Sequence, residues 1–232
     1  MTFKSLREEC FEANMMLPKL NLVIYTFGNV SCVDRDKSVF AIKPSGVPYD
    51  ILKVEDIVIC DLDGNVVDGK MRPSSDTKTH AVLYKNWLSI GGIAHTHSTF
   101  GTSWAQALCE IPIFGTTHAD YLTHDIPCAL PMKDEYIEGD YEINTGLQII
   151  ECMKEKGLSH EEVEMILVGS HAPFTWGKTA AKAVHNSAIL EQCAHMAYLT
   201  LQINPDANKL KEALIRKHHQ RKHGPDSYYG QS

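Results

Sequence analysis

Two imidazoles stand two residues apart in Ile93-Ala94-His95-Thr96-His97, a segment that reads as a β-strand entered through Gly91-Gly92. Side chains alternate across a strand, so residues two apart share one face. Two neutral imidazoles converging at that spacing suit a borderline-soft divalent metal, zinc above all. Histidines satisfied by protein partners at a strand end have the same spacing, so the pair alone leaves both readings open. Two further candidate ligands are Asp76, in Pro73-Ser74-Ser75-Asp76, and His171, just past the apolar run Met165-Ile166-Leu167-Val168. Asp76 precedes a helix-like run and reads equally well as an N-cap. His171 sits in Gly169-Ser170-His171-Ala172-Pro173, where a strand leaves its sheet and sites tend to be built. One carboxylate and three histidines would hold a catalytic divalent metal, provided a coordination position stays open for substrate.

A second group of residues suits an anion. Phe27-Gly28-Asn29-Val30-Ser31 and Lys43-Pro44-Ser45-Gly46 are small-residue turns following strands. With Ser74 and Ser75 they offer backbone amides, hydroxyls and one ammonium to a phosphate. Each turn alone is explained as well by plain turn chemistry. Neither is a Walker or Rossmann motif, so no nucleotide is implied. A third group could move protons. The polar loop Gly115-Thr116-Thr117-His118-Ala119-Asp120-Tyr121 offers Asp120 as a general acid or base. The closing Tyr228-Tyr229 has local packing as its ordinary explanation.

Elements must position these residues. A chain of 232 residues, 44% hydrophobic, can bury a substantial core and is most economically one domain over residues 1–232. No stretch approaches the roughly 20 apolar residues that span a bilayer, and the charged start of the chain is not expected to be a secretory signal. Seven scattered cysteines with no Cys-x-x-Cys point to a reducing, cytoplasmic setting. A net charge of −7 argues against nucleic-acid binding, although Arg216 to His223 is locally basic. Ser5-Leu6-Arg7-Glu8 has the capping-box form and opens a helical pattern through Leu17. Leu22–Thr26 and Val39–Ile42 read as strands, and Ile57–Val67 as a hairpin about Asp63-Gly64-Asn65. Helices are predicted near 76–86, 99–109, 141–156, 179–202 and 206–219, with a short capped one at Ser159–Glu162. Helices flanking adjacent strands favour a layered α/β domain containing antiparallel pairs over a doubly wound array.

Several segments together resemble the L-ribulose-5-phosphate 4-epimerases of the class II aldolase superfamily. They are Gly28-Asn29-Val30-Ser31, Lys43-Pro44-Ser45-Gly46-Val47, Pro73-Ser74-Ser75-Asp76-Thr77, His95-Thr96-His97-Ser98 and Gly115 to Tyr121. Trp176-Gly177-Lys178, Ala183-Val184-His185-Asn186, Arg221-Lys222-His223-Gly224 and Tyr228-Tyr229-Gly230-Gln231 extend the resemblance in order from about residue 8 to the end.

The resemblance implies a three-layer αβα sandwich with a largely antiparallel central sheet, assembled as a homotetramer. It implies zinc, or another divalent metal, on Asp76, His95, His97 and His171. It places Asp120 and Tyr229 as the acid–base pair, and Gly28, Asn29, Lys43, Ser45, Gly46, Ser74 and Ser75 on a phosphorylated ketopentose. His218 and Arg221 match site-lining positions that the family supplies from a neighbouring subunit, as it does the tyrosine. The implied reaction interconverts L-ribulose 5-phosphate and D-xylulose 5-phosphate by breaking and remaking the C3–C4 bond, a step used in both arabinose and ascorbate breakdown. The chain departs from the family pattern at Phe27, Ala172, Thr99-Phe100-Gly101, Cys128-Ala129-Leu130 and His219-Gln220, and none of these removes an implied ligand or acid–base residue.

Overall fold

The computed structural model describes residues 3–224, so Tyr229 lies outside the described residues. Its centre is an eight-stranded sheet: β1 (Asn29–Asp34), β2 (Val39–Ile42), β3 (Val58–Asp61), β4 (Val66–Asp68), β5 (Gly92–His95), β6 (Cys128–Ala129), β7 (Met165–Val168) and β8 (Pro173–Gly177). Their order is β4-β3-β2-β1-β5-β8-β7-β6. Every neighbouring pair is antiparallel except β6 and β7. Most strands are buried on both faces, so they read as apolar runs rather than alternating ones.

Alternation nonetheless sorts their side chains into two cores. Val39 and Ala41 of β2 and Ile59 of β3 face α1 (Lys4–Lys19), whose Leu6, Cys10, Ala13 and Leu17 recur at helical spacing. Phe40, Ile42, Val58 and Cys60 face the other way, toward α2 (Thr77–Asn86) and α6 (Tyr141–Glu155). α7 (Ala180–Ile203) places Ala183 and Val184 in the first core and Leu190 and Ala194 in the second. The result is the helix–sheet–helix sandwich. Three further helices, α3 (Thr99–Gln106), α4 (Thr116–Ala119) and α5 (Asp134–Glu138), fill connections, and α8 (Glu212–His223) packs against α4. No described helix is long and apolar enough to cross a membrane.

Two polar side chains tie these layers together. Asn14 of α1 is fully buried, and its amide both donates to Val30 O (2.9 Å) and accepts from Val30 N–H (2.9 Å), fixing the start of β1. Arg35, in the β1–β2 turn, donates to the carbonyls of Tyr84 (2.8 Å), Trp87 (3.0 Å) and Ile90 (2.9 Å), satisfying the end of α2 and the loop behind it. Close approach also matters at Gly92, where a Cβ would lie 2.4 Å from Ala180, so α7 could not otherwise meet β5.

Four expectations are corrected. Leu22–Thr26 is a loop, not a strand: Asn21 and Tyr25 take positive φ (54° and 53°), and the first strand begins only at Asn29. Ser5 lies inside α1, whose N-cap position is Phe3 and carries no side-chain cap bond. Ser159–Glu162 makes a single turn through Glu162 N–H to Ser159 O and no helix. The last helix starts at Glu212 rather than Asp206.

Removing the Arg35 side chain leaves three carbonyls short of their donor. Arg35→Ala is expected to lower unfolding free energy by about 3 kcal/mol, since hydrogen bonds to charged groups are the costly ones to lose. Urea denaturation of the two proteins measures it.

Candidate active site

A cavity of about 440 Å³ opens at the ends of β1, β2 and β5, bounded by the start of α2 and the β7–β8 turn. It gathers Gly28, Asn29, Lys43, Ser45, Gly46, Ser74, Ser75, Asp76, His95, His97 and His171. Residues from separated segments of the chain therefore meet in one cavity, a convergence that their spacing alone leaves open.

Local geometry explains how. β5 ends at His95, directly paired with Asn29 across the antiparallel ladder. His171 is at the tip of the β7–β8 turn, closed by Val168 N–H to Ala172 O (3.0 Å) and His171 N–H to Val168 O (3.0 Å), with Ser170 at φ 59°. Strand β8 has no counterpart in the sequence reading; it turns the chain back and makes His171 a turn residue instead of a trailing end. Ser74 N–H donates to Lys43 O (3.0 Å) and Ser45 N–H to Arg72 O (2.9 Å), which brings the Lys43 turn beside the Ser74-Ser75 segment. Gly28 has φ +74°, and a Cβ there would meet Val23 at 2.7 Å and the His95 carbonyl at 2.9 Å. Only glycine fits that turn.

The imidazoles have nitrogens within 4.8 Å of one another. His95 Nδ1 lies 2.9 Å from the Pro173 carbonyl, which can only accept, so the proton is on Nδ1 and the Nε2 lone pair faces the cluster. His95 Nε2 is 3.1 Å from His97 Nε2, and His171 Nδ1 is buried with no hydrogen-bond partner. Burial, with the proximity of His95, lowers the pKa of His97 to about 4. Burial, with His95 and His97 beside it, lowers that of His171 to about 3. Both rings are thus neutral at physiological pH.

Asp76 occupies the N-cap position of α2, yet its side chain makes no cap bond. Its Oδ2 accepts instead from Asn29 Nδ2 at 2.7 Å. Burial opposes its ionisation, but His95, His80 and the Asn29 amide outweigh burial, and its pKa falls below the ordinary value. A buried, unpartnered His171 Nδ1 and two further neutral-ring nitrogens beside an ionised carboxylate are the kind of donor set a divalent cation uses. His95, His97 and His171 form a group that could hold a metal ion.

The opposite wall of the cavity is cationic. Lys43 is 1% exposed, its ammonium 4.7 Å from the Tyr49 ring centre and 3.4 Å from the carbonyls of Thr26 and Pro44. Burial lowers its pKa to about 8. Thr26, taken in the sequence as the end of a strand, also lines the cavity, and so do two residues that escape sequence reasoning altogether, Tyr141 and Glu142. Those two open α6 and look like an ordinary first helical turn, so nothing in their spacing marks them.

Asp120, His218 and Arg221 lie elsewhere. Asp120 follows α4, and its Oδ1 accepts from His218 Nδ1 (3.0 Å) and Arg221 Nη2 (3.0 Å); Lys222 Nζ is 3.4 Å from Oδ2. Burial works against this carboxylate, but the bonds from His218 and Arg221 and the charge of Lys222 prevail and hold its pKa below the usual value. Asp120 is thus an ionised group set among cations, separate from the lining of the imidazole cavity.

A cavity with a nitrogen–carboxylate cluster at one end and a buried ammonium with hydroxyls at the other, on this antiparallel sandwich, defines a class. The chain belongs to the class II aldolase and adducin N-terminal domain family, matched over residues 8–198. More particularly, it is 50% identical to the L-ribulose-5-phosphate 4-epimerase UlaF of Salmonella typhi over 228 residues, 98% of this chain and 99% of that one. The protein of the same name from Salmonella paratyphi B matches to the same extent. Among solved structures, an L-fuculose 1-phosphate aldolase superposes with a TM-score of 0.78 at 24% identity, covering 94% of this chain and 95% of that one. The L-fuculose-1-phosphate aldolase of Thermus thermophilus gives 0.66 at 19% identity, over 88% and 98%. At such identities the aldolases establish the fold alone.

If the imidazole cluster is a metal centre, His171→Asn should retain less than about one-tenth of the zinc affinity, as loss of a ligand costs more than the roughly 10–100-fold typical of outer-shell changes. Equilibrium dialysis with elemental analysis reads the outcome. For the second cluster, the lowered Asp120 pKa means that its contribution to holding α8 is complete above the ordinary carboxylate range and lost as pH falls through the folded value. Asp120→Asn should abolish that acid sensitivity and raise amide exchange in α8 at neutral pH, followed by mass spectrometry.

Proposed function

We infer that this chain is an L-ribulose-5-phosphate 4-epimerase, interconverting L-ribulose 5-phosphate and D-xylulose 5-phosphate. The observation that carries this is the two-ended cavity: Asp76 and three imidazoles face a cradle of Lys43, Ser45, Gly46 and Ser74. Its dimensions and polarity suit a short sugar with a phosphate at one end, and relatives named for this reaction, aligned over nearly the whole chain, support it.

The chemistry constrains the residues. In a 2-ketopentose 5-phosphate the C4 proton is not α to the carbonyl, so removing it gains no carbonyl stabilisation. Cleaving C3–C4 and re-adding the aldehyde from its other face inverts C4 instead. Asp76, His95, His97 and His171 would hold zinc, which when bound supplies Lewis acidity to the ketose oxygens. Lys43, with the Ser45, Ser74 and Ser75 hydroxyls and the Gly28 and Gly46 turns, anchors the phosphate so the two-carbon fragment stays while it rotates. Asn29 orients Asp76 through its 2.7 Å bond. Asp120 and Tyr229 serve the C4 oxygen, one taking its proton and the other returning one.

Asp120 is outside the lining of the imidazole cavity within one chain. A neighbouring copy therefore brings its Asp120, with His218 and Arg221, to the cavity, in a homotetramer with sites between subunits. The described cysteines are all free, which suits a cytoplasmic enzyme.

A coupled assay for D-xylulose 5-phosphate, starting from L-ribulose 5-phosphate, tests the reading. Conversion that a chelator abolishes and zinc restores, without build-up of free aldehyde, is the expected result. Released glycolaldehyde phosphate would move the assignment to an aldolase. Tyr229→Phe should lose at least about 100-fold in turnover, the usual contribution of a general acid–base group, while keeping its zinc.

A further inference from the structure

α3 begins at Thr99, two residues beyond His97, and its N-cap is Ser98. Serine is a favoured capping residue. Here its hydroxyl makes no cap bond and is buried without a partner. The helix is capped from a distance instead: Phe100 N–H donates to Glu191 Oε1 at 2.9 Å and Gly101 N–H to Glu191 Oε2 at 2.8 Å. Glu191 belongs to α7, and a carboxylate accepting from two N–H groups at a helix start is a strong, directional cap. The contact is also tightly built. A Cβ on Gly101 would lie 2.7 Å from Leu190 and 2.7 Å from Pro173, the residue whose carbonyl accepts the hydrogen bond from His95 Nδ1–H.

We propose that Glu191 is a positioning residue for His97. His97 is the most exposed member of the imidazole cluster, its ring centre 4.9 Å from that of His95, 5.2 Å from that of His171 and 6.3 Å from that of Phe27. Its direction is set by backbone held at two points: the end of β5, where Thr96 N–H and His95 Nδ1 both reach Pro173 O, and the first turn of α3, clamped by Glu191. A helix needing only a cap could use Ser98. A cap from α7 adds a fixed distance between the ligand segment and the helix behind the sheet. This proposal rests on the reading of His97 as a metal ligand.

Glu191→Gln keeps the shape but turns an amide N–H toward one of the two N–H groups. Zinc affinity of the metal-stripped full chain, measured by competition with a chromophoric chelator, is expected to fall roughly tenfold, as for other groups that orient ligands. Trp104→Phe is the control, since it removes another α3–α7 bond, Trp104 Nε1–H to Ala194 O (3.0 Å), away from His97. It should leave zinc affinity within about twofold of wild type, below the smallest loss typical of a group that orients a ligand. Wild-type affinity in Glu191→Gln would overturn the proposal. So would equal losses in both variants that track the melting temperature of the metal-free proteins, because Glu191 would then only dock the helix. A wild-type chain that binds no zinc would overturn the metal reading itself, and the proposal with it.

Discussion

The pairing of Asn29 against His95 is the constraint on which the site depends. It lies at the end of the β1–β5 ladder, where Val30 is locked on both its N–H and its carbonyl by the buried Asn14 side chain. Because side chains alternate, a slip of one residue would turn Asn29 toward α1 and His95 away from the cavity. With the register held, Asn29 reaches Ser74 (3.1 Å) and Asp76 (2.7 Å), and one amide joins the serine beside the Lys43 turn to the carboxylate beside the imidazoles.

Electrostatics then divides the cavity. At one end, burial keeps His97 and His171 neutral, and neutral imidazoles are what a cation can bind. At the other, Lys43 is buried on carbonyls at 3.4 Å and an aromatic face, with no carboxylate in ion-pair contact among the described residues. An ammonium withdrawn from water without a counter-charge is costly. A phosphate would supply that counter-charge. The same reasoning separates Asp120, which sits among His218, Arg221 and Lys222 and has its charge already matched.

Much of this is legible in the sequence, and for identifiable reasons. Long periodic segments announce themselves: α2, α6 and α7 lie close to their expected limits, because apolar spacing over several turns has one good interpretation. β1 does not, since its Asn29-Val30-Ser31 looks like a polar turn until Asn14 and His80 are seen to satisfy it from other elements. The apolar Leu22–Thr26 imitates a strand, but Leu22 is packed away while Ile24 and Tyr25 face outward. Of the site, His-x-His and Asp76 are visible as candidates, and their ambiguity is of the kind only tertiary contact removes. Asp76 stands at an N-cap position without capping, which no local pattern encodes. Glu191 is invisible because its partners, Phe100 and Gly101, are backbone amides far away along the chain.

Fold cannot decide between cleaving a sugar phosphate and inverting it, since structures named as L-fuculose 1-phosphate aldolases share this sandwich. The position of the phosphate can. A retro-aldol step on a 2-ketose breaks C3–C4, so a phosphate on C1 stays with the ketone half and the aldehyde half is held by little. A phosphate on C5 travels with the aldehyde. A buried cation holding that phosphate would keep the electrophile instead of the nucleophile's half, so that the bond would be remade before the fragment escapes. In that role Lys43 and the serines around it would do more than confer affinity. They would set the lifetime of the aldehyde in the cavity, the quantity that separates an epimerase from an aldolase built on the same strands.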